Sequence, residues 1–302
     1  MAIEARGPDP GRMRKPYTEA QRAELVALVA RGEAGRALMA ARLRGGRLRH
    51  DGIFAAGRVS LNVGSVHRIH PFSATLRLVP GLRDDLQLRS LLDRLHAQSL
   101  AQESDIRAHF AEQGSASVVG TRAELEQGRA FWRDKLVAID ADKAQFCYAL
   151  CRALHARRVV EAGTSFGIST LYLAAAVRDN GGGIVLGAEQ EPSKVAVARG
   201  HFREARLDAY IDLREGDILE ALKGFEGPVD FLLLDIWTPL ARPVLELVAT
   251  HLRTGAIVAT DNTAKRRQEY GALLAYLGDP ANGFITQTLP FDGGFEISVK
   301  VT

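Results

Sequence analysis

Between Arg157 and Asp261 the chain alternates short runs of branched apolar residues with longer amphipathic stretches, and few folds tolerate that rhythm. The runs are "RRVVEAG", "GGIVLGAE", "YIDLREGD", "VDFLLLD" and "GAIVATD"; between them lie "ISTLYLAAAVRD", "PSKVAVARGHFREA", "ILEALKGF" and "LARPVLELVATHL". Runs so uniformly rich in Val, Ile and Leu leave no face for water, so they predict a mostly parallel sheet covered by helices on both sides. The chain then closes with "GFITQTLPFDGGFEISVKVT", two strands joined by the hairpin signal "PFDGG". The expectation is a doubly wound α/β sheet that ends in an antiparallel hairpin. Sheets of this kind bind ligands outside the carboxyl ends of their strands, so the polar residues at those ends come first.

Upstream the reading is mainly helical. Residues 1–16 read as a tail, "TEAQRAELVALVARGEAGRALMAARLRGG" as a helix or helix pair opening at Thr18 and stopping at Gly45-Gly46, and Asp51–Pro80 as a short strand or ordered loop. Helical spacing resumes in "LQLRSLLDRLHAQSLAQESDIRAHFAEQ" and again from Arg122 to His155, with an interruption near Asp140 to Asp142. This divides the chain into an N-terminal, mainly helical extension over 1–103, serving as substrate lid or dimerisation element, and a catalytic α/β domain over 104–302. With 46% hydrophobic and 25% charged residues, and no apolar run near the roughly 20 residues that cross a bilayer, no membrane partner is expected. The opening residues lack the apolar core of a secretory signal, so the cytoplasm is the expected compartment. The excess of Lys and Arg lies before residue 86, interleaved with Ala, Leu and Gly and not with aromatics, which argues for a solvated helix face and against nucleic acid. Cys147 and Cys151 share one helix face with no further cysteine to complete a metal site, and read as buried apolar side chains.

The first strand runs into Glu161-Ala-Gly163-Thr164-Ser165-Phe-Gly167, where two glycines permit a tight turn and the amides at the following helix start face a ligand. Ser165 stands where a dinucleotide fingerprint requires glycine, which weighs against a nicotinamide cofactor. Glu189 ends the second strand about 20 residues on, where such sheets place an acid for ribose hydroxyls. Asp217, after Gly216 in "REGD", is placed to receive an adenine amine. Each acid also has a structural reading: Glu189 as a cap of the helix near Pro192, Asp217 as a cap of "ILEALKGF".

"VVEAGTSFGIST", "GAEQEPSKVAVAR", "REGD" and "DFLLLDIW" together resemble the class I S-adenosylmethionine-dependent methyltransferases, and within them the small-molecule O-methyltransferases related to catechol and caffeoyl-CoA methyltransferases. The resemblance covers roughly residues 88 to 302. It implies a Rossmann-like sheet of seven strands with the last antiparallel, S-adenosylmethionine as cofactor, and a small-molecule acceptor. It places Glu161, Gly163 and Gly167 around the methionine part, Glu189 at the ribose and Asp217 at the adenine, with Thr164, Ser165, Ser169, Gln190, Gly216, Asp235 and Trp237 completing the cofactor site. A homodimer is expected.

Two more strand ends carry oxygen. "LLLDIW" ends in Asp235 and "IVATDN" in Asp261 and Asn262. Neighbouring strands lie about 4.8 Å apart, so these side chains can converge, and two carboxylates with an amide carbonyl suit a hard cation such as Mg²⁺. The set matches the metal triad of the catechol-type family, in which two vicinal substrate oxygens chelate the ion; Asp235 is then the catalytic residue as well as a ligand. The competing reading makes Asp261 and Asn262 caps of a helix over "AKRRQEYGALLAYL". Thr238 stands where the animal catechol branch carries a lysine base, and threonine takes no proton at neutral pH. Lys265, His67 and His70 are the candidate replacements. The expected activity is metal-dependent O-methylation of a small molecule with vicinal oxygens, its rivals being a metal-independent O- or N-methyltransferase and a non-catalytic nucleoside-binding protein.

Overall fold

The computed structural model describes residues 81–82, 84–112 and 131–302, all within one compact unit. The expected tail, the helix from Thr18, the Asp51–Pro80 segment, His67 and His70 lie outside the described residues. In chain order the elements are helices α1 (Leu86–Ala101), α2 (Glu103–Glu112) and α3 (Ala141–Ala153), then β1 (Arg158–Ala162), α4 (Ile168–Asp179), β2 (Ile184–Glu189), α5 (Pro192–Glu204), β3 (Ile211–Glu215), α6 (Ile218–Ala221), β4 (Val229–Leu234), α7 (Thr238–Ala249), β5 (Leu252–Asp261), α8 (Gly271–Gly278), β6 (Phe284–Leu289) and β7 (Phe295–Lys300). Among the described residues no helix is long and apolar enough to cross a membrane.

The seven strands form one sheet in the order β3-β2-β1-β4-β5-β7-β6. β1 to β5 pair in parallel, and β7 runs antiparallel to both β5 and β6. Right-handed crossovers on both faces require the strand order to reverse between β1 and β4, and that reversal opens a crevice at their carboxyl ends. Alternation along the central strands divides the core. Val159, Phe231, Leu233 and Ile257 face the layer of α1, α3, α4 and α5, whereas Val160, Leu232, Leu234 and Val258 face α6, α7 and α8. Both layers exclude water, so the strands lack the polar alternation of a half-wet sheet.

α4 is the innermost helix, with every residue from Ile168 to Val177 buried. Cys147 and Cys151 are buried free thiols on α3, as their spacing predicts. α1 buries Leu88, Leu91, Leu92 and Leu95 in the same core layer as α3 and α4, so a segment assigned above to the extension packs on the sheet domain.

Three helical expectations are corrected. The long stretch from Leu86 breaks at Gln102 into α1 and α2. Residues 133–140, read as helix, form a turn and an extended strap, because side chains of α1 and its C-cap residue capture its amides: Leu136 N donates to Gln102 Oε1 at 2.7 Å and Ala138 N to Ser99 Oγ at 3.3 Å. The helix expected from Ala264 begins only at Gly271, after a run of turns.

Candidate active site

The loop after β1 is held in a conformation that sequence alone makes expensive. Gly163, Ser165 and Gly167 all have positive φ (99°, 49° and 86°). A Cβ on Gly163 would lie 2.1 Å from the Asp235 carbonyl oxygen, and one on Gly167 would lie 2.4 Å from Phe202 Cε1. Glycine at these positions lets the loop press against the end of β4 on one side and against α5 on the other.

Beneath the loop, Glu161 is completely buried. Its Oε2 accepts from the hydroxyls of Thr164 (3.0 Å) and Thr170, while Oε1 has no partner. Burial pushes this carboxyl above its ordinary range, against the hydroxyls of Thr170, Ser169 and Thr164, which favour the charged form. A buried carboxylate oxygen with a free lone pair is costly unless a donor arrives, and a cationic N–H ligand meets that need best.

Glu189, at the tip of β2, accepts backbone amides from Ser165, Gln190 and Glu191, each at 2.8 Å. It therefore ties the glycine loop to β2 and holds the two residues that lead into α5, but it does not cap that helix, whose N-cap is Glu191 with no side-chain cap bond. Asp217 accepts from Leu219 N at 3.0 Å and caps α6. Beside it Gly216 (φ 131°) faces open space, with no atom within 4 Å of a built Cβ. A small, open cleft sits over the loop, lined by Gly163, Thr164, Ser165, Ser169 and Asp235 from the predicted set. Its other wall is the strap Leu136–Ile139, which sequence reasoning placed in a helix.

The strand ends β4 and β5 have a different character. Asp235 borders the cleft and its carboxyl is pushed well up, first by desolvation, then by the charges of Asp261 and Glu161; Lys143 opposes this. Asp261, 4% exposed, does not stand open to a ligand. Its Oδ1 takes Lys143 Nζ at 2.6 Å and Asn262 N at 2.8 Å, and its Oδ2 takes Asn262 Nδ2 at 2.9 Å. Lys143 is 1% exposed and also pairs with Asp140 Oδ2 at 2.9 Å. Burial works against its charge, but Asp261 and Asp140 outweigh burial and hold its pKa above the ordinary lysine value. The helix-cap alternative for Asp261 and Asn262 fails, since the segment after them is turns and the Asp261 side chain faces Lys143.

This decides how well the expected Mg²⁺ fits. Asp235, Asp261 and Asn262 do come to one edge of the sheet, yet Asp261 Oδ1 already holds the Lys143 ammonium, and the Asn262 amide points its nitrogen at Asp261. An ammonium stands where a hard cation needs anionic oxygen, so the donor set as arranged does not fit a divalent ion.

Trp237 forms the N-cap of α7 and packs edge-on against Trp132, with ring centroids 5.5 Å apart. Phe131 stands edge-on to Trp132 at 4.9 Å and stacks with His109 at 3.6 Å, so an aromatic wall continues outward from the Asp235 end. Thr238 is buried and its hydroxyl has no hydrogen-bond partner; Lys265 is exposed on the turns after Asn262.

A methyltransferase-domain family model matches residues 160–263, the stretch that holds the glycine loop, Glu189, Asp217, Asp235 and Asp261. That stretch is similar to a methyltransferase domain, and the seven-strand order with its antiparallel last strand is that of the Rossmann-like methyltransferase fold. Two relatives of that domain are catechol O-methyltransferases, from Niastella koreensis (26% identical over 133 residues, 43% of this chain and 59% of the relative) and from Mycobacterium tuberculosis (28% over 130 residues, 43% and 58%). The chain thus spans less than two thirds of the length of either. A solved Bacillus cereus O-methyltransferase in complex with SAH has the same fold as the methyltransferase domain, with a TM-score of 0.52 at 21% identity over 62% of this chain and 94% of that one.

Sequence reasoning missed Lys143, Asp140 and the strap. "IDADK" held the signal, a lysine one turn into a helix behind an acid, but burial of that lysine against an acid 118 residues away has no local signature.

Proposed function

We propose that this chain is an S-adenosylmethionine-dependent O-methyltransferase acting on a hydroxyl of a small molecule, and that it works without a divalent metal. The observation that carries the cofactor half is the unpartnered Oε1 of Glu161 beneath a glycine loop that has no room for a Cβ. When bound, S-adenosylmethionine supplies an electrophilic sulfonium methyl group. Glu161 would receive its amino group, the loop amides and Ser169 its carboxylate end, Glu189 its ribose, and Asp217 with open Gly216 its adenine. Each assigned oxygen retains a lone pair beyond the bonds it makes, because a carboxylate offers about four acceptor positions.

Asp235 borders the cleft, and its backbone carbonyl lies against Gly163 of the glycine loop, so its carboxyl is assigned to the acceptor side. Desolvation and the charges of Asp261 and Glu161 disfavour its charged form in the empty site, so a cationic ligand beside it would restore that charge, and the carboxylate would then accept a hydrogen bond from an acceptor hydroxyl. With cofactor and acceptor bound, the sulfonium methyl would pass to the acceptor oxygen as the carbon–sulfur bond breaks to a neutral thioether, and the hydroxyl proton would leave to solvent or buffer. No described residue stands in the place of the lysine base, which suits an acceptor acidic enough to ionise by itself. Trp237 and Trp132 support an aromatic acceptor. The Mg²⁺ and vicinal-oxygen parts of the sequence expectation are not carried into this proposal, because Asp261 is already engaged by Lys143.

Residues N-terminal to the described part are proposed to govern acceptor choice or self-association. The test is transfer of radiolabelled methyl from S-adenosylmethionine to a panel of hydroxylated aromatics, with EDTA present. Label in an acceptor, with an equal amount of S-adenosylhomocysteine formed, supports the proposal; absence of both across a broad panel contradicts it.

A further inference from the structure

We propose that Lys143 is the resident cation of this site, filling with a fixed ammonium the position at Asp261 that a divalent ion would need, so that the protein binds no metal there and its acceptor requires one hydroxyl, not two adjacent ones. Only the acceptor clause rests on the methyltransferase reading.

The geometry excludes both cations together. Lys143 Nζ lies 2.6 Å from Asp261 Oδ1, and an ion ligated by the same carboxylate sits about 2.0–2.6 Å from its oxygen. The two positive charges would then be within about 5 Å with no water layer between them, in a place where solvent does not screen them. Lys143 has nowhere to retreat: it is 1% exposed, its neighbours Ala144 and Cys147 on α3 are in the core, and Asp140 fixes the ammonium from a second side at 2.9 Å.

An ammonium has three N–H donors. Asp261 and Asp140 take two, and no described residue takes the third. A divalent ion organises an acceptor by chelating two of its oxygens. An ammonium is one point charge held between Asp261 and Asp140, and it offers an acceptor no pair of chelating positions. Vicinal oxygens then give no advantage.

The test uses the full-length protein with S-adenosylhomocysteine and Mn²⁺ as the probe, followed by electron paramagnetic resonance of free against bound metal. Wild type is expected to bind no Mn²⁺ at up to millimolar concentration. In Lys143→Ala a binding signal should appear, at least tenfold tighter than in wild type, and should vanish in Lys143→Ala/Asp261→Asn. Stoichiometric binding by wild type that Asp261→Asn abolishes overturns the proposal, with no need for any variant to be active. In the methyl-transfer assay, matched acceptors with one and with two adjacent hydroxyls should differ less than tenfold, and EDTA should leave both rates unchanged. If no acceptor is methylated while wild type still excludes Mn²⁺, the methyltransferase reading fails and the Lys143 assignment stands.

Discussion

The two halves of the ligand edge are built from the same material, acids at the tips of parallel strands, yet they solve opposite electrostatic problems. At the tips of β1, β2 and β3, Glu161, Glu189 and Asp217 are satisfied by neutral donors, hydroxyls and backbone amides, and Glu161 keeps one oxygen with no partner. At the tips of β4 and β5, Asp235 and Asp261 crowd each other, and a lysine from a distant helix enters to neutralise the deeper one. The first half is prepared to receive positive charge from a ligand. The second half has brought its own. A strand-end carboxylate is therefore not a binding prediction until its counter-charge is known.

The largest effect that can break this contrast is Lys143→Met. Removing one partner of a buried pair should cost about 3–5 kcal/mol of unfolding free energy, measured by urea titration. Lys143→Met/Asp261→Asn should recover most of that loss, because no charge is left unpaired. A cost of Lys143→Met below about 1 kcal/mol would mean that the pair is not what neutralises this end.

At the other half, Glu189→Ala should weaken S-adenosylmethionine binding by about 2–3 kcal/mol, roughly 30- to 150-fold, through lost charge-assisted hydrogen bonds and a loosened Ser165 amide. Calorimetry reads this directly, and unchanged affinity would remove Glu189 from the ligand side.

An acid at the opposite, amino-terminal end of β4 gives the control. Asp230 accepts from Arg157 N (2.8 Å), Arg158 N (2.9 Å) and Arg253 Nε. Burial works against its charge, but these donors outweigh burial and hold its carboxyl below the usual range. Its folded pKa is lowered, so its stabilisation is complete above the unfolded value near 3.8 and is lost as pH falls through the folded one. Asp230→Ala should cost about 2 kcal/mol at neutral pH, lose that cost in acid, and leave ligand affinity unchanged.

The smallest effect sharpens the contrast most. The Glu161 carboxyl is raised on folding, so the apo protein loses stability as pH climbs from the unfolded pKa through the folded one. Glu161→Gln should therefore raise the neutral-pH urea midpoint of the apo protein while weakening ligand binding, with the stability gain shrinking below the ordinary carboxylate range. A variant less stable than wild type at neutral pH would show that Glu161 is structural.

Most of the sheet is legible in the sequence because its determinants are local: Val, Ile and Leu runs, a proline opening α5, and "PFDGG" before β7. The glycine loop is legible for the same reason, since Gly163 and Gly167 are demanded by the backbone they sit in. The strap at Leu136–Ile139 and the ion pair between Lys143 and Asp261 were not. The helical pattern around 133–140 yields to side chains from Ser99 and Gln102, and the charge on Asp261 is settled across 118 residues. Such tertiary overrides leave no periodicity to read.

The most direct measurement is isothermal titration of S-adenosylhomocysteine into the wild-type protein in EDTA. The account predicts saturable one-to-one binding with a dissociation constant in the micromolar range, about −8 kcal/mol, with no change on adding Mg²⁺. Heats that fail to saturate below millimolar ligand, or binding that appears only with Mg²⁺, would contradict it.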